Sequence, residues 1–142
     1  LCGIGINPTR TAVLEILNLM GANIEIFGQR QESGEPLCDL RVRSQLLKGI
    51  DVPRSLVANA IDEFPVLAIA AAGAVGITRI RGATELRFKE SDRINAVVQG
   101  LGNLGVNAIE YEDGMDIIGG RFRSGTIDSR GDHLFTRTRP VA

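Results

Sequence analysis

The chain has 142 residues, of which 44% are hydrophobic and 23% charged, and its formal net charge at pH 7 is −1. These values predict one soluble globular domain, and they exclude collagen-like, disordered and low-complexity chains. The balanced charge gives no support to nucleic-acid binding. The longest apolar run, residues 64–75, is too short to cross a bilayer, so we expect no membrane partner.

The cysteine and histidine content limits which cellular compartment and which metal sites are expected. Cys2 and Cys38 do not make a disulfide framework, and His133 is the single histidine. A zinc site is therefore not expected. No secretory signal precedes the first predicted element, and we expect a reducing, cytoplasmic location.

Apolar spacing predicts the elements of the first half. Residues 11–20 have a helical apolar face, and Gly21 ends that helix. Residues 23–27 alternate as a strand, a turn-like run covers residues 29–36, and a second strand follows at residues 37–42. Residues 55–62 have no assignment. Residues 64–75 are alanine-rich and apolar all round, which predicts a helix buried on every side.

The second half repeats this order. A strand at residues 77–80 is followed by a strand-like run and then by a helix from about Glu90, which Gly105 stops. A hairpin is predicted from residues 107–111 and 115–118 around an Asp-Gly turn. Residues 10–26 and 93–109 thus share a helix–glycine–strand pattern. A helix buried on all sides next to two amphipathic ones predicts helices inside and sheets outside.

The densest charged cluster lies where the strand-like run meets the second helix, and it contains Lys89, Glu90, Asp92 and Arg93. Acidic residues in a first turn stabilise the helix dipole by about 0.3–1 kcal/mol each, so the two acids can be simple helix starters. Alternatively, Lys89 and Arg93 bind an anion at the helix N-terminus while Glu90 transfers a proton. Residue chemistry alone leaves both interpretations open.

Asp62 directly precedes the apolar helix. It is predicted as the N-cap of that helix, with Pro65 in the first turn, and capping alone would explain it. An aspartate at the mouth of an apolar helix is also expected to be partly desolvated, which suits a general base. The two roles can coexist.

One run carries a resemblance. Residues 85–94 read Glu-Leu-Arg-Phe-Lys-Glu-Ser-Asp-Arg-Ile and resemble the signature of the 3-phosphoshikimate 1-carboxyvinyltransferase (EPSP synthase) family. Three further runs resemble the family in the same order: Ile-Asp-Glu-Phe-Pro at residues 61–65, Glu-Asp-Gly at 112–114 and Ser-Arg-Gly-Asp-His at 129–133. The likeness extends from about residue 5 to residue 133.

The resemblance implies a reaction and roles for five residues. The enolpyruvyl group of phosphoenolpyruvate would be transferred to the 5-hydroxyl of shikimate 3-phosphate, through a tetrahedral intermediate and with loss of phosphate. Asp62 would take the hydroxyl proton, and Glu90 would transfer a proton at the phosphoenolpyruvate methylene. Lys89 would lie near the shikimate hydroxyl, Arg93 would clamp phosphoenolpyruvate, and Glu85 would also bind substrate. No metal or organic cofactor is implied, and glyphosate is a candidate inhibitor.

The resemblance also implies an architecture. The family fold is α/β, an inside-out barrel domain built from βαβαββ repeats with buried helices and outer sheets. We expect residues 1–133 to form part of one such domain, about two units, and the enzyme's second domain to be missing. The chain would then fold but be inactive alone. Residues 134–142 depart from the family pattern, with Leu134 in place of an arginine, and are predicted to be a vector scar or the product of a frameshift.

Two other interpretations stay open. UDP-N-acetylglucosamine enolpyruvyl transferase shares the fold and the phosphoenolpyruvate chemistry but lacks the Lys-Glu-Ser-Asp-Arg run. The chain can also be a non-catalytic domain or truncated product that only folds, or that binds a partner.

Overall fold

The structure is a computed structural model, and it describes residues 1–128 and 131–132. Its elements are, in chain order, β1 (Ile4–Gly5), a 3-10 turn (Pro8–Arg10), α1 (Ala12–Leu19), β2 (Asn23–Glu32), β3 (Glu35–Arg43), α2 (Arg54–Val57), a 3-10 stretch (Ala58–Glu63), α3 (Phe64–Ala72), β4 (Ile77–Ile80), a 3-10 stretch (Thr84–Phe88), α4 (Arg93–Asn103), β5 (Asn107–Tyr111) and β6 (Gly114–Ile118).

Two three-stranded antiparallel sheets share one strand order, β1-β3-β2 and β4-β6-β5. In each unit a strand leads through a helix into a hairpin, and the last strand of the hairpin pairs with the first strand. Helices α1 and α4 both end before a glycine with positive φ, Gly21 at 88° and Gly105 at 76°, which lets the chain turn back into a strand. The predicted repeat is therefore confirmed as a β-α-β-β unit.

The segment between the two units runs beside the chain that enters β4. Lys48 bridges Val75 and Asp51 bridges Arg79, both in parallel register. Gly49 allows this close approach, because a Cβ atom there would overlap the backbone of Ile77. Residues 48–51 therefore run parallel to the chain at β4 through two isolated bridges, without forming a strand of their own.

Helix α3 lies in the middle of the core. Phe64, Leu67, Ala68 and Ala71 are each no more than 3% exposed, and they join one cluster with buried residues of α1, α4, β4 and β6. Short alanine side chains let neighbouring elements approach closely. The prediction of helices inside and sheets outside is confirmed. The prediction that α3 is buried on every side is wrong, because Val66 is 55% exposed.

Three predicted boundaries are corrected. The first hairpin is longer than expected, with strands extending to Glu32 and from Glu35, because Ser33 and Gly34 both adopt positive φ and close a two-residue turn. The strand-like run before α4 is a 3-10 stretch, and α4 begins at Arg93 rather than Glu90. The residues left unassigned, 55–62, are helical.

The continuous helical stretch Arg54–Ala72 has 19 residues and a mean hydropathy of 1.4, so by length and composition it could cross a membrane. It is the one such stretch among the described residues. Core helices of soluble proteins meet the same criterion, and α3 packs in the core as described above. This stretch is therefore weak evidence for a membrane span.

Candidate active site

An open cleft of about 530 Å³ lies where three parts of the chain meet. Small-molecule sites commonly have volumes of about 300–1,000 Å³. Its lining comes from the turn before α1, from the entry to α3 and from the residues around the start of α4, and consists of Arg10, Asp62, Glu63, Val66, Lys89, Glu90 and Arg93. The cleft thus brings together four of the five predicted site residues. The fifth, Glu85, contacts Lys89.

Arg93 is the most firmly held side chain of the cleft. It is 2% exposed, and its Nε donates to Oδ2 of Asp132 at 2.8 Å. Its Nη2 donates to Oε2 of Glu90 at 2.5 Å, and its Nη1 lies 3.5 Å from Oδ1 of Asp62. A buried guanidinium group is stable only where its N–H donors are paired, so these contacts fix the position of the Arg93 guanidinium at the cleft.

Lys89 follows the 3-10 stretch in extended backbone, and its side chain is 23% exposed. Its Nζ lies 2.7 Å from Oε1 of Glu85 and 3.5 Å from Oδ1 of Asp62. The hydrogen bond with Glu85 outweighs the loss of hydration and, with the charge of Asp62, raises the pKa of Lys89 above its ordinary value. The ammonium group therefore stays charged at neutral pH.

Asp62 belongs to the 3-10 stretch that leads into α3. The prediction that it caps α3 is wrong: Glu63 occupies the N-cap position, and its side chain makes no capping hydrogen bond. The chain enters α3 already helical, so carbonyls of the preceding turn are in place to accept the bonds that a cap would otherwise satisfy.

The surroundings of Asp62 are cationic. Its Oδ1 faces Lys89 and Arg93, both at 3.5 Å, and its Oδ2 faces Nη2 of Arg10 at 3.7 Å. The side chain is 43% exposed, so Asp62 is partly removed from solvent, and three positive charges surround its carboxylate.

Glu90 lies on the loop before α4, and its carboxylate is 57% exposed. The N-terminus of α4 is capped by Asp92, whose Oδ1 accepts the Asn95 N–H at 3.0 Å. The predicted helix starter is therefore Asp92 and not Glu90. The carboxylate of Asp92 already takes one backbone donor of this terminus, so an anion at the predicted site would depend mainly on Lys89 and Arg93.

Arg87 ties the site loop to the second hairpin. It donates to the side chains of Asp92 and Glu110 at 2.8 and 2.9 Å, and to the carbonyls of Glu112 and Tyr111 at 2.7 and 2.5 Å. The hydrogen bond with Glu110 outweighs desolvation and raises the pKa of Arg87. We call these four bonds the Arg87 clasp. The clasp flanks Lys89 and Glu90 and holds the cap of α4.

Two residues of the site were missed from the sequence. Arg10 lines the cleft although it lies 52 positions before Asp62, and no local pattern indicates that proximity. Asp132 lies in one of the runs that resemble the family, but its residue type alone predicts no role; its carboxylate is fully buried against Arg93 and Ser91. A buried carboxylate is retained where it is paired, so Asp132 acts here by holding Arg93.

Some predictions fall outside the described ranges. These are the placement of Ser129, Arg130 and His133 and the nature of the tail at residues 134–142. Within residues 1–128 and 131–132, no three His, Cys, Asp or Glu side chains are grouped so that they could hold a metal ion.

Comparison with known proteins identifies the family. A family model for EPSP synthase (3-phosphoshikimate 1-carboxyvinyltransferase) matches residues 1–135. The chain belongs to the EPSP synthase family. The 3-phosphoshikimate 1-carboxyvinyltransferase of Methylococcus capsulatus is 55% identical over 139 residues, which cover 98% of this chain and 32% of that protein. The enzyme of the same name from Legionella pneumophila (strain Paris) is 52% identical with the same coverage.

Solved structures of the EPSP synthase family agree with the fold. An EPSP synthase structure from Acinetobacter baumannii superposes with a TM-score of 0.93 at 46% identity, covering 97% of this chain and 33% of that one. A second structure from that organism gives a TM-score of 0.90. The predicted fold class, a partial inside-out α/β domain, is confirmed. The chain spans about a third of the length of the relatives that it matches.

Proposed function

We propose that this chain carries one wall of an active site that transfers the enolpyruvyl group of phosphoenolpyruvate to the 5-hydroxyl of shikimate 3-phosphate, in chorismate biosynthesis. The single observation that supports this most is the convergence on Asp62. Lys89 and Arg93 both lie 3.5 Å from its Oδ1, and Glu90 pairs with Arg93. One base, one acid and two cations thus share one cleft, as a reaction between two anionic substrates requires.

The acceptor side uses Asp62 and Lys89. Asp62 accepts the proton of the 5-hydroxyl, and the oxygen forms a bond to C2 of phosphoenolpyruvate. The Lys89 ammonium, whose pKa is raised by Glu85, stays charged and stabilises the oxygen as it loses its proton. Glu85 is 64% exposed and 2.7 Å from Lys89, so in this proposal it contributes by holding the ammonium.

The donor side uses Arg93 and Glu90. Arg93 offers its Nη1, whose 3.5 Å contact with Asp62 is its longest, to the carboxylate or phosphate of phosphoenolpyruvate. Glu90 delivers a proton to the methylene carbon C3, which gives the tetrahedral intermediate and leaves the Glu90 carboxylate beside Arg93. That carboxylate then takes a proton back from C3 as phosphate leaves C2, and this forms the enol ether.

A chimaera tests the reaction and the roles. Residues of the Methylococcus capsulatus relative that align with this chain are replaced by this chain, and phosphate release from the two substrates is measured. We expect activity, and we expect Asp62→Asn and Glu90→Gln each to lower kcat by about 10²–10⁴-fold, the usual contribution of general acid–base catalysis. Arg54→Gln is the matched control: Arg54 is 74% exposed and paired with Asp113, away from the cleft. A folded chimaera that makes no product, or acid variants with unchanged kcat, would contradict the proposal.

We also propose that the isolated chain does not turn over. It spans about a third of its relatives' length, and the cleft is open on one side. Residues 1–133 would then be part of one domain, with a second domain contributing the opposite wall. A phosphate-release assay on the 142-residue chain should give no signal above the uncatalysed rate, and robust turnover would refute this.

In line with the two-cysteine composition, the proposed location is cytoplasmic, which cell fractionation of the parent protein would check.

A further inference from the structure

Arg10 is held at the cleft by a rigid turn. Asn7 accepts hydrogen bonds from the N–H and the hydroxyl of Thr9, at 3.1 and 2.8 Å, and its carbonyl accepts the N–H of Arg10 at 2.8 Å. Pro8 restricts φ in the same turn. The turn therefore fixes the backbone of Arg10 just before α1, where its side chain lines the cleft.

Arg10 is also the cleft cation with the fewest partners. Lys89 has Glu85 at 2.7 Å, and Arg93 has both Asp132 and Glu90 within 2.8 Å. Among the described residues, the one ion-pair partner of Arg10 is Asp62, at 3.7 Å. An incoming anion can therefore displace Asp62 from Arg10 without breaking a short hydrogen bond.

A purely structural role for Arg10 is poorly supported. Its side chain is 69% exposed, and exposed ion pairs at such distances contribute little to stability. The hydrogen-bonded turn positions an arginine whose ion pair within the chain is weak, and ligand binding by Arg10 explains this better than a contribution to stability does. Arg10 is, in addition, the only lining residue from the first β-α-β-β unit among the residues described around the cleft.

We propose that Arg10 binds an oxyanion group, phosphate or carboxylate, of the acceptor substrate shikimate 3-phosphate. This inference rests on the proposed function. It places the anion on the Oδ2 side of Asp62, while Oδ1 stays with Lys89 and Arg93. Arg10 then exchanges Asp62 for the substrate, and this leaves Oδ2 available to the hydroxyl group.

The test is a binding titration of the 142-residue chain at fixed ionic strength. Shikimate 3-phosphate is added, and the Nε–Hε signals of the arginines are followed by NMR. We expect the Arg10 signal to shift and Arg10→Gln to weaken binding about tenfold, the value of one charge-assisted hydrogen bond. Arg54→Gln, which removes an equally exposed arginine outside the cleft, should change the Kd by less than about twofold. A parallel titration with shikimate distinguishes the phosphate from the carboxylate, because only a phosphate contact makes the Arg10→Gln effect disappear there.

The outcomes separate this inference from the proposed function. If Lys89→Met weakens binding and Arg10→Gln does not, the role of Arg10 is wrong and the site assignment stands. If Arg10→Gln weakens binding and Lys89→Met does not, the assignment of Lys89 fails and Arg10 stands. Equal weakening by Arg10→Gln and Arg54→Gln would indicate a general charge effect and overturn the proposal. No saturable binding by the wild-type chain overturns the Arg10 inference, whereas the proposed function, which assigns only one wall of the site to this chain, is tested separately by the chimaera. Thermal unfolding of each variant verifies that it is folded.

Discussion

The Arg87 clasp predicts a stability loss that is large for a residue near the surface. Arg87→Met keeps most of the apolar stem but removes every donor of the guanidinium. Four acceptor atoms then lose the Arg87 donor: one carboxylate oxygen each of Asp92 and Glu110, and the carbonyl oxygens of Tyr111 and Glu112. The change thereby removes the three hydrogen bonds that Arg87 makes to the second hairpin.

The magnitude follows from the number and exposure of these bonds. A typical hydrogen bond contributes about 1 kcal/mol net, so four bonds give about 4 kcal/mol. Asp92 and Glu110 are 37% and 33% exposed, so water replaces part of what they lose. We therefore expect a decrease of about 2–3 kcal/mol in the free energy of unfolding. Arg87→Lys should recover less than half of it, because an ammonium group cannot reach four acceptors in fixed directions.

Urea unfolding followed by circular dichroism measures this loss, provided that the transition is two-state. The matched control is Arg41→Met, which removes an arginine that is 53% exposed and paired with Glu25 on the outer face of the first sheet. That change should cost less than about 1 kcal/mol. If Arg87→Met and Arg41→Met lower stability equally, the clasp is no more than a surface ion pair and the reasoning fails.

Two further predictions concern the core and the first sheet. Phe64→Ala removes a fully buried ring of α3 and should destabilise the chain by about 3–5 kcal/mol. Val66→Ala, on the exposed side of the same helix, should destabilise it much less. Equal midpoints of urea unfolding for the two variants would contradict the core assignment. Hydrogen bonds from the N–H of Gly3 and then from Arg30 lower the pKa of Asp39 below its ordinary 3.8. The stability that these bonds provide is fully present above the unfolded-state pKa of 3.8, and it is lost as the pH falls through the lower pKa of the folded state. Asp39→Asn should therefore be less stable than wild type at pH 6. It should also lose less stability than wild type on acidification. Parallel acid-unfolding curves for the two proteins would contradict this.

The sequence determined the elements whose signals are local. Apolar spacing and terminal glycines predicted α1 and α4, and the Asp-Gly turn predicted the second hairpin, because helix periodicity and positive φ depend on neighbouring residues. The run at residues 85–94 identified the family for the same reason, since it is contiguous. Most of the site could be named from it.

What the sequence could not determine depends on partners distant in the chain. Asp62 was predicted as the N-cap of α3, but a 3-10 stretch leads directly into that helix and removes the need for a cap. The apolar residues of that stretch have no clear helical spacing, so the sequence did not predict it. The cationic surroundings of Asp62 arise only when residues 10, 89 and 93 meet it in space. The roles of Arg10 and Asp132 were invisible for the same reason. Local periodicity thus decided the helices and hairpins, whereas the charges around the cleft were decided by tertiary packing, because ion pairs depend on distance in space and not on spacing along the chain.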